Sequence, residues 1–201
     1  MEEKSWVPAN PAPLGLAGFG ITTFVLSMVN ANLVGGKSLT VVLGLAFAYG
    51  GLAQLLAGMW EFRTGNTFGA VAFTSYGAFW ISFYILVTGQ LGGLVTSAAA
   101  PAAVGLYLWA WAIFTGLMFL ASLKQPLLVT IVFFALTVTF ILLGIGWSGA
   151  TIAQIGANSN STIHIGGWAG LVTAALALYT ATGLVMHHQW GRYVLPLGVR
   201  S

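Results

Sequence analysis

Apolar residues fall along this chain in long runs, at about 14–34, 39–60, 68–88, 103–123, 127–148 and 167–187. Each run is close to the ~20 residues that carry a helix across a bilayer. The pattern predicts an all-α integral membrane protein of six transmembrane helices. An even number of spans puts both termini on one side. Polar residues gather between the runs, and most connections are short. The segments 89–102 and 149–166 are longer, uncharged and rich in Gly, Ala, Ser and Thr. No composition break or low-complexity tail divides the chain, so residues 1–201 read as one domain, with 1–13 as a tail and helix entry.

The polar residues inside the runs are few and patterned. In helix 1, Thr23, Ser27 and Asn30 recur at i, i+4, i+7 and share a face. Lipid on that face would leave Asn30 unsatisfied, so it turns into the bundle, for interhelical bonding or for lining a wet path. Helix 2 carries a small-residue stripe, Ala46, Gly50, Ala53 and Ala57, with Gln54 beside it. Such stripes let membrane helices approach closely. In helix 3, Phe73, Tyr76, Trp80 and Phe83 share one broad face, and the Tyr76 hydroxyl needs a partner or water. Helix 4 has the small pair Ala112 and Gly116. In helix 5, Thr130, Thr137 and Thr139 can bond back to their own helix. Helix 6 repeats the small stripe with Gly170, Ala174, Ala177 and Ala181.

The ends of the runs carry their own signals. Asn10-Pro-Ala-Pro-Leu-Gly-Leu-Ala-Gly-Phe-Gly20 combines prolines suited to a first helical turn with an amide that can accept from free backbone N–H groups. It reads as a capped helix start or as an entry turn facing a solute. Between helices 2 and 3, Gly65 suits the residue just past a helix and Asn66 or Thr67 the cap of the next. Glu61 and Arg63 in that turn read as an exposed pair. The odd-numbered helices each follow an amide, Asn10, Asn66 and Gln125, which suggests three helical hairpins around a pore.

Composition narrows the class. The chain is 58% hydrophobic and 4% charged, with six Lys or Arg and three Asp or Glu. A soluble domain carries roughly 25% charged residues. With the N terminus inside, Lys4, Arg63, Lys124, Arg192 and Arg200 lie on the cytoplasmic side and Lys37 outside, so the positive-inside bias places both termini in the cytoplasm. The protein is then a multi-pass component of the plasma (inner) membrane, and its first run stays in place as a span. The cationic surplus is too small for a nucleic-acid surface. No cysteine is present and the histidines do not cluster, so neither a metal site nor a cofactor is expected. His164 is the one histidine placed at the outer mouth, where it reads as a structural residue ahead of a pH sensor. Enzyme signatures are missing as well: there is no paired acidic set, no His-Glu-x-x-His and no Cys nucleophile. No ionisable residue falls in the middle of a span, where it would mark an ion site or proton relay.

A set of motifs in fixed order now carries a resemblance. Asn10-Pro-Ala-Pro-Leu-Gly-Leu16, Gly50-Gly-Leu-Ala-Gln54, Ala57-Gly-Met-Trp-Glu61, Gly65-Asn-Thr-Phe-Gly69, Thr74-Ser-Tyr-Gly-Ala-Phe-Trp80 and His164-Ile-Gly-Gly-Trp168 together resemble the acetate uptake transporter family. The resemblance covers nearly the whole chain and includes bacterial succinate–acetate permeases and fungal relatives. It implies membrane transport of acetate, with succinate accepted by some members, linked to protons, and a homo-hexameric ring with a path through each six-helix protomer. It implies a constriction on helices 1, 3 and 5 that falls here on Phe19, Tyr76 and Leu136. Where bacterial members often have Ala before the Gly-Trp of helix 6, this chain has Gly166, and a smaller residue there widens the path.

Residues and resemblance together set the expected site. A path lined by aromatics, small residues, hydroxyls and amides suits a small carboxylate that carries its own proton, since its pKa lies near that of a side-chain carboxyl, ~4. It also suits an anion drawn to positive helix N-termini. Asn10, Pro11, Leu14, Gly15, Asn66 and Thr67 are placed in an inner vestibule, and Asn30, Gln54, Thr74 and Gly166 along the path. A passive channel for ammonia, urea or water fits the missing charges equally well. So does channel or proton-coupled carrier, because a gate residue looks the same in both. The expected partners are the solute, the lipid bilayer and further copies of the chain.

Overall fold

The computed structural model describes Trp6 and residues 8–89 and 99–199. Glu2, Glu3, Lys4, Arg200 and most of the predicted loop 89–102 lie outside the described residues. The described chain is helical: α1 (Ala12–Asn30), α2 (Leu39–Phe47), α3 (Gln54–Thr64), α4 (Thr67–Thr88), α5 (Ala100–Ala121), α6 (Leu127–Ser148), α7 (Ile152–Gly156) and α8 (Ser161–Trp190). A π-helical segment, Ala48–Ala53, joins α2 to α3 without a break, so they form one span. Among the described residues six helices are long and apolar enough to cross a membrane.

Local chemistry sets most boundaries. The Asn10 side chain accepts a hydrogen bond from Ala12 N–H (3.0 Å), and Pro13 sits in the first turn of α1. α1 stops at Asn30, four residues short of the predicted end, because Asn32 adopts φ 58° and turns the chain. Gly65, at φ 77°, ends α3, a conformation glycine takes without penalty. Asn66 then caps α4 by accepting from Gly69 N–H, and Thr67 is its first residue. The Asn160 side chain accepts from Thr162 N–H (3.0 Å) and Ile163 N–H (3.1 Å). That cap starts α8 at Ser161 and moves the expected helix start at 167 back by nearly two turns. Gln125 does not cap α6; its first amides, Leu127 N–H and Leu128 N–H, donate to the carbonyls of Gly198 and Leu197 in the C-terminal tail.

The spans alternate in direction, as their contacts record. A methyl group added at Gly20 of α1 would stand 2.8 Å from Cγ of Leu178 on α8, and one at Gly167 would meet Asn30 and Ala31. Gly146 of α6 faces Ile163 of α8, and Gly105 of α5 faces Ser148 of α6. Gly77 of α4 faces Leu55 of α3. The packing order is thus α5, α6, α8, α1, the α2–α3 span and α4. The predicted stripes are used: Gly170, Ala174, Ala177 and Ala181 are buried on α8, and Ala46, Gly50 and Ala57 on the second span. Both described chain ends lie at one end of the bundle, called here the terminal end. The opposite end holds the turns after α1 and α6 and the C-terminal end of α4, and is called the loop end.

Two sequence expectations are corrected at this level. Glu61 and Arg63 do not form an exposed pair. Glu61 is 1% exposed, held by Asn66 Nδ2 (2.9 Å) and Thr64 Oγ1 (3.3 Å), while the Arg63 guanidinium lies 5.7 Å from the Trp6 ring. The cause is the close approach of α3 and α4: Gly69 leaves just enough room for the carboxylate, whose Cδ would stand 2.7 Å from a methyl there. Thr130 bonds across to the Ser122 carbonyl (2.7 Å), whereas Thr137 and Thr139 do bond back, to Phe133 and Ala135.

Candidate solute path

Two cavities lie along the bundle, one on each side of a ring of packed side chains. The larger, of about 500 Å³, opens towards the loop end. The smaller, of about 20 Å³, lies towards the terminal end among Leu16, Gln54, Phe73 and Val132. Phe19 and Leu136 line both, and Tyr76 and Phe133 line the smaller one. Phe19, Tyr76 and Leu136 are each no more than 5% exposed. The Phe19 and Tyr76 rings stand 5.8 Å apart. Helical spacing positions them. Phe19 projects from α1 one turn below Thr23, Tyr76 from α4 one turn below Trp80, and Leu136 from α6 one turn below Phe140, and all three upper residues line the larger cavity.

The Tyr76 ring is held on several sides. It packs against Trp111 (5.9 Å), Phe114 (5.6 Å) and Phe133 (6.1 Å), and its hydroxyl meets Thr115 Oγ1 at 2.8 Å. Above it, the Tyr107 hydroxyl donates to the Phe79 carbonyl (2.9 Å) and pairs with Ser82 Oγ (2.7 Å). The wall between α4 and α5 is therefore built from aromatic rings and hydroxyls.

The larger cavity mixes apolar walls with free polar groups. The face Thr23, Ser27 and Asn30 lines it, as helical spacing indicated. Among the described residues, Thr23 Oγ1 and Trp80 Nε1 of its lining are buried without a hydrogen-bond partner. A buried polar atom left unpaired costs about 1–3 kcal/mol, so such atoms call for a ligand or water. At the loop-end mouth, Asn158, at φ 46°, donates from Nδ2 to Asn32 Oδ1 (3.0 Å) and to the Val29 carbonyl (3.2 Å). His164 Nε2 meets the Asn158 carbonyl at 2.8 Å, a structural contact.

The other sequence-predicted residues divide. Gln54 lines the smaller cavity and is 1% exposed, with its Oε1 unpaired among the described residues. Asn30 lines the larger one. Gly166 lies behind the wall: a methyl there would stand 2.7 Å from Cδ2 of Leu143, which lines the larger cavity. Thr74 faces Gly58 on α3 and lines neither cavity. Asn10, Pro11, Leu14, Gly15, Asn66 and Thr67 also line neither; Gly15 is buried under the Phe73 ring, and the rest lie at the terminal end with Asn10, Leu14, Asn66 and Thr67 exposed. Tyr107 and Thr115 were not singled out in the sequence. They share an α5 face with Trp111 at i, i+4 and i+8, and that spacing is the signal that marks them. Among the described residues no three His, Cys, Asp or Glu side chains group as metal ligands.

A six-span helical bundle with a solute-sized cavity closed by a buried ring defines a multi-pass membrane transport protein in outline. The chain belongs to the GPR1/FUN34/yaaH family, whose model matches residues 3–197. It is 46% identical to the succinate-acetate/proton symporter SatP of Escherichia coli K12, over 94% of this chain and 95% of that one. It is 41% identical to acetate permease A of Emericella nidulans, over 94% of this chain and 65% of that one. Its structure resembles that of the bacterial acetate channel SatP with a TM-score of 0.84 and 42% identity, covering 96% of this chain and all of the other.

Proposed function

We propose that the protein transports acetate and similar small monocarboxylates across the membrane, through a path in each protomer that narrows at Phe19, Tyr76 and Leu136. The observation that carries this reading is that Phe19 and Leu136 line both cavities, so a solute moving from one to the other passes between them. A narrow apolar ring restricts passage by size and by loss of water. The unpaired Thr23 hydroxyl and Trp80 indole N–H on one side can donate to a carboxyl group as it sheds water, and the unpaired Gln54 Oε1 on the other can accept from the O–H of the neutral acid. A carboxylic acid crossing as the neutral form avoids taking a charge through the ring, which ties flux to protons.

Orientation and assembly follow from the same reading. The terminal end is cytoplasmic, supported by Arg63, Lys124 and Arg192 there against Lys37 at the loop end. Family resemblance supports a hexamer, and the exposed α5 face of Leu106, Ile113 and Leu117 suits lipid or a neighbouring copy. Succinate enters as a larger substrate, favoured by Gly166.

Labelled-acetate influx into proteoliposomes, with internal pH and membrane voltage recorded together, tests the reading. The expected result is saturable influx competed by unlabelled acetate and insensitive to ammonium and urea. Influx of ammonia or urea without competable acetate influx overturns it. Internal acidification without charge movement marks proton-coupled passage, and charge movement alone marks anion conduction.

A further inference from the structure

Threonines inside these helices commonly turn their hydroxyls back on their own helix. Thr22, Thr137, Thr139, Thr173 and Thr180 each donate to the carbonyl four residues earlier. Thr115 does not. It is 0% exposed, and its only hydrogen bond among the described residues is to the Tyr76 hydroxyl. Thr115 lines neither cavity, whereas Tyr76 lines the smaller one. The hydroxyl thus points out of the path into α5, and the wall of the path is the tyrosine ring. Trp111, Phe114 and Phe133 pack around that ring.

We propose that Thr115 is a positioning residue that keeps the constriction dry by drawing the Tyr76 hydroxyl away from the path. The proposal rests on the reading of Phe19, Tyr76 and Leu136 as a constriction. Among Phe19, Tyr76 and Leu136, the phenol is the one group able to hold water. Without Thr115 the hydroxyl is buried and unpaired, and the nearest relief is the path itself. A dewetted gate then becomes a wet one.

Osmotic water permeability of proteoliposomes tests this, because it does not depend on which solute the protein carries. Thr115→Val, nearly isosteric, is expected to raise water permeability about tenfold, in line with the penalty of one unpaired buried hydroxyl. Thr115→Ser, which restores the hydroxyl, is expected to return it to the parent value. In a Tyr76→Phe background, Thr115→Val is expected to change it less than about twofold, because the hydroxyl it acts on is gone. An equal rise in both backgrounds, or no rise in either, overturns the proposal. If Thr115→Val does not assemble, Thr115→Ala serves the same comparison. Labelled-acetate influx measured on the same vesicles separates the two readings: loss of acetate transport in the parent with the Thr115–Tyr76 coupling intact overturns the solute and leaves the dry gate standing.

Discussion

The α1–α8 seam and the α4–α5 wall solve the same packing problem in opposite ways. Along the seam, glycines bring backbones together: Gly167 meets Asn30 and Ala31, Gly170 meets Ser27, and Gly20 meets Leu178. Along the wall the backbones stay apart, and large side chains fill the gap. Phe79 stacks on Tyr107 at 5.7 Å and 18°, Phe79 meets Trp111 at 5.1 Å, and hydroxyl pairs tie Tyr76 to Thr115 and Ser82 to Tyr107. In a membrane, association rests on close packing and hydrogen bonds, because lipid is as apolar as the side chains. The seam gains from contact that cannot be rearranged. The wall gains from ring contacts and from the two hydroxyl pairs. The division gives a half packed by backbone and a half packed by side chains, with the cavities between them.

That contrast can be broken at several points. The largest effect is expected at the seam: Gly167→Ala places a methyl against backbone and should lower stability by about 3 kcal/mol, seen in thermal unfolding of the solubilised protein. An unchanged melting temperature would mean that the seam yields as easily as the wall. Next comes the path itself. Phe19→Ala removes a ring lining both cavities and should raise butyrate influx relative to acetate by about tenfold in competition assays. If the ratio stays at the parent value, the ring is packing and does not select by size.

Gly166→Ala joins the two regimes, since its methyl would push Leu143 into the larger cavity. It should reduce succinate influx relative to acetate about fivefold, a little below the usual worth of one methylene in a pocket. Equal loss of both solutes would place Gly166 with the seam glycines instead. The smallest effect is expected at Thr137→Val, which removes only a hydroxyl bonded to its own helix and should shift stability by less than about 0.5 kcal/mol. A shift several times larger would show that back-bonded threonines also carry the seam.

Much of this architecture was legible in the residues. The apolar runs predicted the spans, Gly65 and Asn66 marked the turn between α3 and α4, and the spacing of Thr23, Ser27 and Asn30 predicted an inward face. These signals are local, and local chemistry decides them. What escaped notice depends on neighbours distant in sequence. Glu61 looks exposed beside Arg63, because nothing local reveals that α4 covers it. Thr115 looks like one more back-bonded threonine, because its partner lies thirty-nine residues away. The early start of α8 is the local exception: Asn160, set among Ser and Asn residues, reads equally well as a loop residue and as the cap it is.

The π segment Ala48–Ala53 has a consequence for how such a protein can change. An α-helix advances about 100° per residue, and a π turn holds one residue more than an α turn. The segment therefore takes up one residue without rotation, and α3 sits relative to α2 as in a plain helix one residue shorter. It sets the phase that aims Gln54 at the smaller cavity. Deleting one residue between 48 and 53 should restore a plain helix and leave Gln54 aimed at the smaller cavity, whereas a plain helix through the full sequence would turn it away by about 100°. Gain or loss of one residue there changes the helix type within the second span while leaving the side of α3 that faces the smaller cavity in place.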